Sequence, residues 1–321
     1  GLGAGALVVI NLPEITRVFD QYRMLLLGAL FVLLTNWRPN GLGRKLAPIF
    51  LAQDCADVAC KPAIDRMSSN EPLLELKGVV VRFGGLTAVA GATFTVDRGQ
   101  VLGIIGPNGA GKTTLFNAIT GNVALTEGSI RFRGAELPRH GVERRSLLGI
   151  ARTFQNLEIC TELTCLENVM IPQLARIPRL VLPFGGKATG AVVAAALEAL
   201  DMVGLRQSAD LPAGALSYGD RRRLEIARAL AANPSLLLLD EPAAGMNRTE
   251  AVELGQLIRQ IRDQGITVIL IEHNVRLVRA VSDHIIVLAS GHVIADEDPQ
   301  AVLQNPLVVE AYLGKRVDAA A

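Results

Sequence analysis

Three stretches of the chain carry residue types and spacings that could do chemistry. Gly106-Pro-Asn-Gly-Ala-Gly-Lys-Thr-Thr114 fits the pattern G-x-x-x-x-G-K-[ST]. It lies where that pattern must lie, between a buried-strand run ending at Ile105 and a helical pattern opening at Thr113. The glycines let the backbone curl so that successive N–H groups point inward at phosphate oxygens. The helix start adds partial positive charge. Lys112 is expected to reach the β- and γ-phosphates of a nucleoside triphosphate, and the Thr113 hydroxyl to ligate Mg²⁺. The nucleotide-holding candidates are therefore Gly106, Pro107, Asn108, Gly109, Ala110, Gly111, Lys112, Thr113 and Thr114. Next, Leu236-Leu-Leu-Leu-Asp240-Glu241 is an apolar run that delivers two carboxylates at its C-terminal end. Open α/β sheets bind ligands at that edge. Asp240 is expected to hold Mg²⁺, mainly through water, and Glu241 to polarise an attacking water as general base. Third, Ser217 opens a helical pattern with Asp220 three residues on, a weak capping box. Its hydroxyl and the nearby amides make an anion site at a helix start.

The elements that must position these residues begin at Leu74. Residues 74–82 and 92–96 alternate like half-buried strands. Residues 101–105, 236–239 and 268–271 are short apolar runs, as strands covered on both faces require. Helical patterns at 113–119, 191–203, 222–231 and 249–262 separate them. Strands alternating with helices predict an α/β domain with a largely parallel sheet. Residues 180–190, with Pro183, Gly185 and Gly186, read as an inserted loop.

The order of these motifs carries a family resemblance. Leu216-Ser-Tyr-Gly-Asp-Arg-Arg-Arg-Leu-Glu-Ile-Ala-Arg-Ala-Leu230, just before the acidic strand, resembles the signature motif of ATP-binding cassette (ABC) proteins. The resemblance covers about residues 74–317. It implies an α/β P-loop NTPase fold with a RecA-like parallel-sheet core, an antiparallel β subdomain and an α-helical signature subdomain. It also implies ATP with Mg²⁺, and a head-to-tail pair in which Ser217, Tyr218 and Gly219 bind the γ-phosphate held by the other subunit. Phe83 resembles the aromatic that stacks on adenine. Gln155, in Arg152-Thr-Phe-Gln-Asn, resembles the glutamine that reaches the metal and the attacking water. Ala243-Ala-Gly-Met-Asn247 occupies the loop that crosses the dimer interface, and His273, in Ile271-Glu-His-Asn, resembles the histidine that contacts the γ-phosphate. Catalytic roles thus fall on Glu241, His273 and Gln155, and metal contacts on Thr113, Gln155 and Asp240. Residues 156–170 are expected to meet the membrane subunits. Tyr218, Asp220 and Asn247 depart from the common Gly, Gln and Asp, and none of the three removes a phosphate ligand or the base.

Arg82-Phe-Gly-Gly-Leu, Arg152-Thr-Phe-Gln-Asn, Glu241-Pro-Ala-Ala-Gly and Glu272-His-Asn together look like the ATP-binding subunits of branched-chain amino-acid importers. The ending Asn305-Pro-Leu-Val-Val-Glu-Ala-Tyr-Leu-Gly314 is similar to that group's tail. Such a subunit works at the cytoplasmic face of the inner membrane, beside permease subunits and, indirectly, a periplasmic substrate-binding protein. Residues 1–43 differ. Leu12-Pro-Glu-Ile-Thr-Arg, Tyr22-Arg-Met-Leu and Arg38-Pro-Asn-Gly-Leu resemble the end of the cognate permease, so this segment reads as a permease tail, with 44–73 a linker and 318–321 a short tail. The chain opens on Gly1 rather than Met, as a processed or truncated product would, and no basic region precedes an apolar stretch as in a secretory signal. The eleven-residue apolar run at 24–34 would span roughly 17 Å as a helix, against about 30 Å of hydrocarbon.

Two competing readings are weaker. A lipid or lipopolysaccharide exporter's ATPase would match Asp220 but not the C-terminal motif or the permease-like head. A soluble ABC protein acting on ribosomes or DNA would carry paired cassettes or long coiled-coil insertions. With 32 Lys and Arg against 31 Asp and Glu, the net charge of +1 gives no footprint for nucleic acid. Half the residues are apolar and mean hydropathy is +0.34, which excludes global disorder and points to a large core or membrane contact. Four cysteines cannot staple 321 residues, and Cys55/Cys60 and Cys160/Cys165 fit no common zinc spacing, so free thiols in a reducing compartment are expected.

Overall fold

The structure, a computed structural model, describes residues 71–139, 141–153, 157–174 and 186–313. All of these except 186–191 belong to one compact unit, Ala59–Leu182 with Val192–Ala321. The permease-like segment, the linker up to 70, Gln155, Cys55 and Cys60 lie outside the described residues.

The first half contributes β1 (Leu74–Phe83), β2 (Leu86–Val96), β3 (Val101–Ile105), α1 (Lys112–Thr120), β4 (Glu127–Phe132), β5 (Ala135–Glu136), α2 (Val142–Leu147), β6 (Ile150–Arg152) and α3 (Cys165–Leu174). The second half adds α4 (Gly186–Met202), α5 (Tyr218–Leu230), β7 (Leu236–Asp240), α6 (Arg248–Asp263), β8 (Thr267–Ile271), α7 (Val275–Val281), β9 (His284–Ala289), β10 (His292–Glu297) and α8 (Pro306–Leu313). Two sheets result. One is antiparallel, in the order β2-β1-β4-β5. The other has the order β10-β9-β3-β8-β7-β6 and is parallel except for the edge hairpin of β9 with β10.

The apolar runs explain the layering. Every residue of β3, β7 and β8 is buried. Alternate side chains feed two cores. Ile105, Leu237, Leu239, Val268 and Leu270 pack with Leu224, Ile258 and Ala196 from α5, α6 and α4. Ile104, Leu236, Leu238, Ile269 and Ile271 pack on the other side with Leu115 and Phe116 of α1 and with Leu76, Val81 and Phe94 of the antiparallel sheet. The parallel sheet therefore lies between a helical layer and the antiparallel sheet, and the C-terminal ends of β3, β7 and β8 open at one edge. The expected α/β fold with a parallel core and an antiparallel subdomain is the fold observed.

Three expectations need correction. The linker does not reach 73: Leu73 is buried, takes the carbonyl of Val96 and gives its own to Arg133 N–H, so the antiparallel sheet already holds it. Residues 186–190, read as loop from Gly185-Gly186, form the first turns of α4, a propensity overridden by the alanine-rich run that follows. Of the segment 156–170 expected to meet the membrane subunits, not every residue faces outward as such a contact would need: Cys165, Asn168 and Val169 are buried as α3 docks beside α5. The Asn168 side chain there closes a turn through Cys160 N–H and the carbonyls of Cys160 and Thr164. Cys160 and Cys165 are free, the first exposed and the second buried.

Candidate nucleotide site

The loop between β3 and α1 sits against backbone, which is why glycine is needed at its two ends. Gly106 has φ 155° and a Cβ there would stand 2.1 Å from the Leu288 carbonyl oxygen. Gly111 has φ 99° and a Cβ would stand 2.2 Å from the Ala88 oxygen. Any other residue would strain the backbone and strike a neighbouring strand. Lys112, 6% exposed, folds its ammonium back over the loop and donates to the carbonyls of Gly106 at 2.8 Å and Pro107 at 3.0 Å. Burial pushes its pKa down, and the charges of Glu241 and Asp240 work against that.

The cleft above the loop, about 690 Å³, is lined by Asn108, Gly109, Ala110, Gly111, Lys112, Thr113 and Thr114, by Phe83, and by Glu241 and His273 from across the sheet edge. Phe83 is half-exposed at the end of β1 and so is free to offer its ring. Gly106 and Pro107 do not line the cleft; their part is to offer the two carbonyls that hold the Lys112 ammonium. The structure thus brings together residues separated by up to 190 positions, in the grouping that the motifs imply.

Glu241 adopts a left-handed backbone, φ 48°, rare for a residue with a side chain and worth of order 1–3 kcal/mol of strain. Its N–H is held by the Ile271 carbonyl at 2.9 Å. The turn swings its carboxylate out of strand direction and into the cleft, where Oε1 meets His273 Nε2 at 2.8 Å. A carboxylate beside an imidazole at the mouth of a phosphate cradle can accept a proton from water.

Two further residues tie the site together, and only their motif membership was visible in the sequence. Glu272 is 4% exposed, and its carboxylate accepts N–H bonds from Ala243 at 2.6 Å, His273 at 3.1 Å and Asn274 at 3.4 Å. It therefore locks the crossing loop to the His273 segment. Burial raises its pKa above the usual carboxylate range, and those three amides partly counter the rise. Arg152, at the end of β6, donates to Asp240 Oδ2 at 2.7 Å and to Asn117 Oδ1 at 2.6 Å. That ion pair is buried on both sides, at 7% and 3% side-chain exposure. Thr153 Oγ1 accepts from Asp240 N–H at 3.4 Å. The metal-binding candidate Asp240 is thus gripped by the strand that leads toward Gln155. An arginine on a short strand three residues before that glutamine was the only available signal.

Ser217, Tyr218 and Gly219 do not line the cleft; they open α5 elsewhere. Ser217 Oγ accepts from Asp220 N–H at 3.1 Å and donates to Asp220 Oδ2 at 2.8 Å, so the acid does fold back onto its own helix start. The Tyr218 ring lies beside the crossing loop: a Cβ on Gly245 would stand 3.1 Å from it. The Tyr218 hydroxyl accepts from Arg222. Asn247, in place of the common acid, completes a full capping box with Glu250 at the start of α6.

Comparison with known proteins places this geometry. Residues 89–244 match the family model for the ABC transporter. The chain is 42% identical over 256 residues to a high-affinity branched-chain amino acid transport ATP-binding protein, BraF, of Pseudomonas aeruginosa, covering 77% of this chain and 99% of that one. It is 38% identical over 253 residues to LivG of Escherichia coli K12, with the same coverage. Among solved structures, a nucleotide-free ATP-binding cassette from an ABC transporter superposes with a TM-score of 0.69 at 33% identity, covering 76% of this chain and all of that one. A dimeric cassette bound to ADP and phosphate superposes at 0.60, with 27% identity and coverage of 70% and 98%. The chain belongs to the ABC transporter family, as one of its ATP-hydrolysing ATP-binding cassettes.

Proposed function

We propose that this chain is the ATP-hydrolysing subunit of an importer for branched-chain or related hydrophobic amino acids, acting on the cytoplasmic face of the inner membrane. The observation that carries the proposal is the single cleft joining the phosphate-binding loop, Glu241 and His273. The named activity of the relatives that match nearly end to end supports the substrate class.

In this reading Phe83 stacks on adenine. The 106–114 loop wraps the phosphates, with Lys112 turning its ammonium from the loop carbonyls to the β- and γ-phosphates. Mg²⁺ fits the donors present: the exposed Thr113 hydroxyl and the Asp240 carboxylate are hard oxygens, which suit it. The described residues contain no cluster of three or more His, Cys, Asp or Glu that could hold a metal; Thr113 and Asp240 would hold the ion together with the nucleotide. When bound it neutralises charge developing on the phosphoryl group. Glu241 accepts the proton of the attacking water, and His273 holds that carboxylate in place and contacts the γ-phosphate. Gln155, outside the described residues, completes the metal and water contacts. Ser217, Tyr218 and Gly219 serve the nucleotide of a second cassette. That is why they stand apart from this chain's own cleft and next to the crossing loop. The cassettes close on two ATP molecules, pull the attached permease subunits, and reopen after hydrolysis; a periplasmic binding protein supplies the solute. No helix among the described residues is long and apolar enough to cross a membrane; in this reading translocation is the work of the permease subunits. Residues 1–43 are proposed as the tail of such a permease.

The test is ATP-driven uptake into vesicles carrying the chain with its membrane subunits and the binding protein. Leucine, isoleucine or valine should accumulate, and Glu241→Gln should stop it. Steady ATP hydrolysis with none of the three taken up would overturn the assignment of substrate.

A further inference from the structure

Helices α6 and α7 cross closely at Gly255, where a Cβ would stand 3.1 Å from Leu277 Cδ1 and 3.2 Å from Val281 Cγ1. Beside that crossing lies a hollow of about 520 Å³, separate from the nucleotide cleft. Its walls are aliphatic: Val252, Leu277 and Val281, with alanines between them. Val252 is 55% exposed, so a large apolar side chain faces water there. Three arginines, Arg248, Arg259 and Arg276, border the same hollow, and all are exposed. None of them has an ion-pair or hydrogen-bond partner among the described residues. Among the described residues no Asp or Glu lines the hollow.

We infer that this hollow binds a small aliphatic carboxylate, its chain on Val252, Leu277 and Val281 and its carboxylate on the arginines. The size falls within the range of small-molecule sites, which pair apolar walls with a few convergent polar groups. Guanidinium groups match a carboxylate's two oxygens in plane. The α6 N-terminal amides do not compete for the anion, because the Asn247 side chain already accepts from Thr249 and Glu250 N–H. Charge selects the class. An amino acid would bring an ammonium with no carboxylate in the wall to receive it. A nucleotide would bring a base with no aromatic ring to stack on. The position also matters. Met246 and Asn247 of the crossing loop and Asn274 beside His273 border the hollow. An occupant therefore touches both segments that leave the catalytic pair, which places the site to act as an effector site.

Octanoate serves as the probe, titrated into the full chain by calorimetry and ligand-observed NMR. It should bind saturably at one site per chain, with a dissociation constant near or below about 1 mM. Arg259→Glu with Arg276→Glu should weaken binding at least tenfold while ATP binding and the melting temperature stay as in the parent. Should that double variant fold poorly, Val252→Glu, which sets a carboxylate on the apolar wall, should weaken octanoate binding equally. Octylamine and leucine should bind at least tenfold more weakly than octanoate. Absence of saturable octanoate binding, equal binding by the variants, or equal binding of octylamine would overturn the proposal. So would arginine variants that alter only ATP-dependent dimerisation, since the face would then belong to a subunit contact.

Discussion

Replacing Arg152 by Met keeps length and apolar bulk but removes the charge that faces Asp240. The carboxylate left behind is 2% exposed and loses a 2.7 Å charged hydrogen bond. Breaking one side of a buried pair costs about 3–5 kcal/mol, because the survivor keeps its desolvation penalty without its partner's attraction. Asn117 Oδ1 also loses its donor at 2.6 Å. For a cassette of this size each kcal/mol moves the midpoint by about 2–4 °C, so the melting temperature should fall by about 6–20 °C. Pairing Arg152→Met with Asp240→Leu removes both charges and should recover most of the loss, since apolar replacements of buried pairs are often neutral. Chemical denaturation of the single and double variants, read as a double-mutant cycle, measures the coupling. A loss under about 1 kcal/mol for Arg152→Met, the value of an exposed pair, would refute the reasoning.

Ser217→Arg removes a helix cap worth about 1 kcal/mol and should lower the melting temperature only slightly. It should leave ATP binding to the chain's own cleft intact yet abolish ATP-dependent dimerisation, which size-exclusion chromatography reads; equal dimer fractions would contradict the shared site. Glu272 should contribute to the pH dependence of stability. Burial raises its native pKa above the unfolded value, so the native state holds that proton more tightly. Its contribution therefore declines as pH rises from the ordinary carboxylate range through the raised native value. The melting temperature of the parent minus that of Glu272→Gln should be larger at pH 5 than at pH 8, and a pH-independent difference would be the contrary result.

The motifs at 106–114, 236–241 and 216–230 were legible because each couples a fixed residue pattern to a fixed place in the chain. The buried strands were legible because both faces are covered, so nothing in them alternates. The edge elements were harder. β6 spans only Ile150–Arg152, too short for periodicity. α3 contains Pro172, which reads as a helix breaker. The β9–β10 hairpin carries a short-range signal in Ser290-Gly291, a two-residue turn between two apolar runs with positive φ at both positions. The roles of Arg152 and Glu272 could not be read, because each acts through partners distant in sequence, Asp240 and Asn117 for one and Ala243 for the other. The hollow between α6 and α7 was hidden for the same reason: its three arginines read singly as solvated surface.

The most direct measurement of the central claim is steady-state ATP turnover by the assembled transporter carrying Glu241→Gln, with ATP binding and dimerisation measured on the same protein. Glutamine keeps the shape and the hydrogen bond toward His273 but cannot take a proton. Turnover should fall by about 10² or more, as loss of a positioned base requires, while ATP binding persists and the ATP-bound dimer accumulates. Turnover within threefold of the parent would contradict the account, because the cleft that joins the loop, Glu241 and His273 would then hydrolyse ATP without the residue assigned as its base.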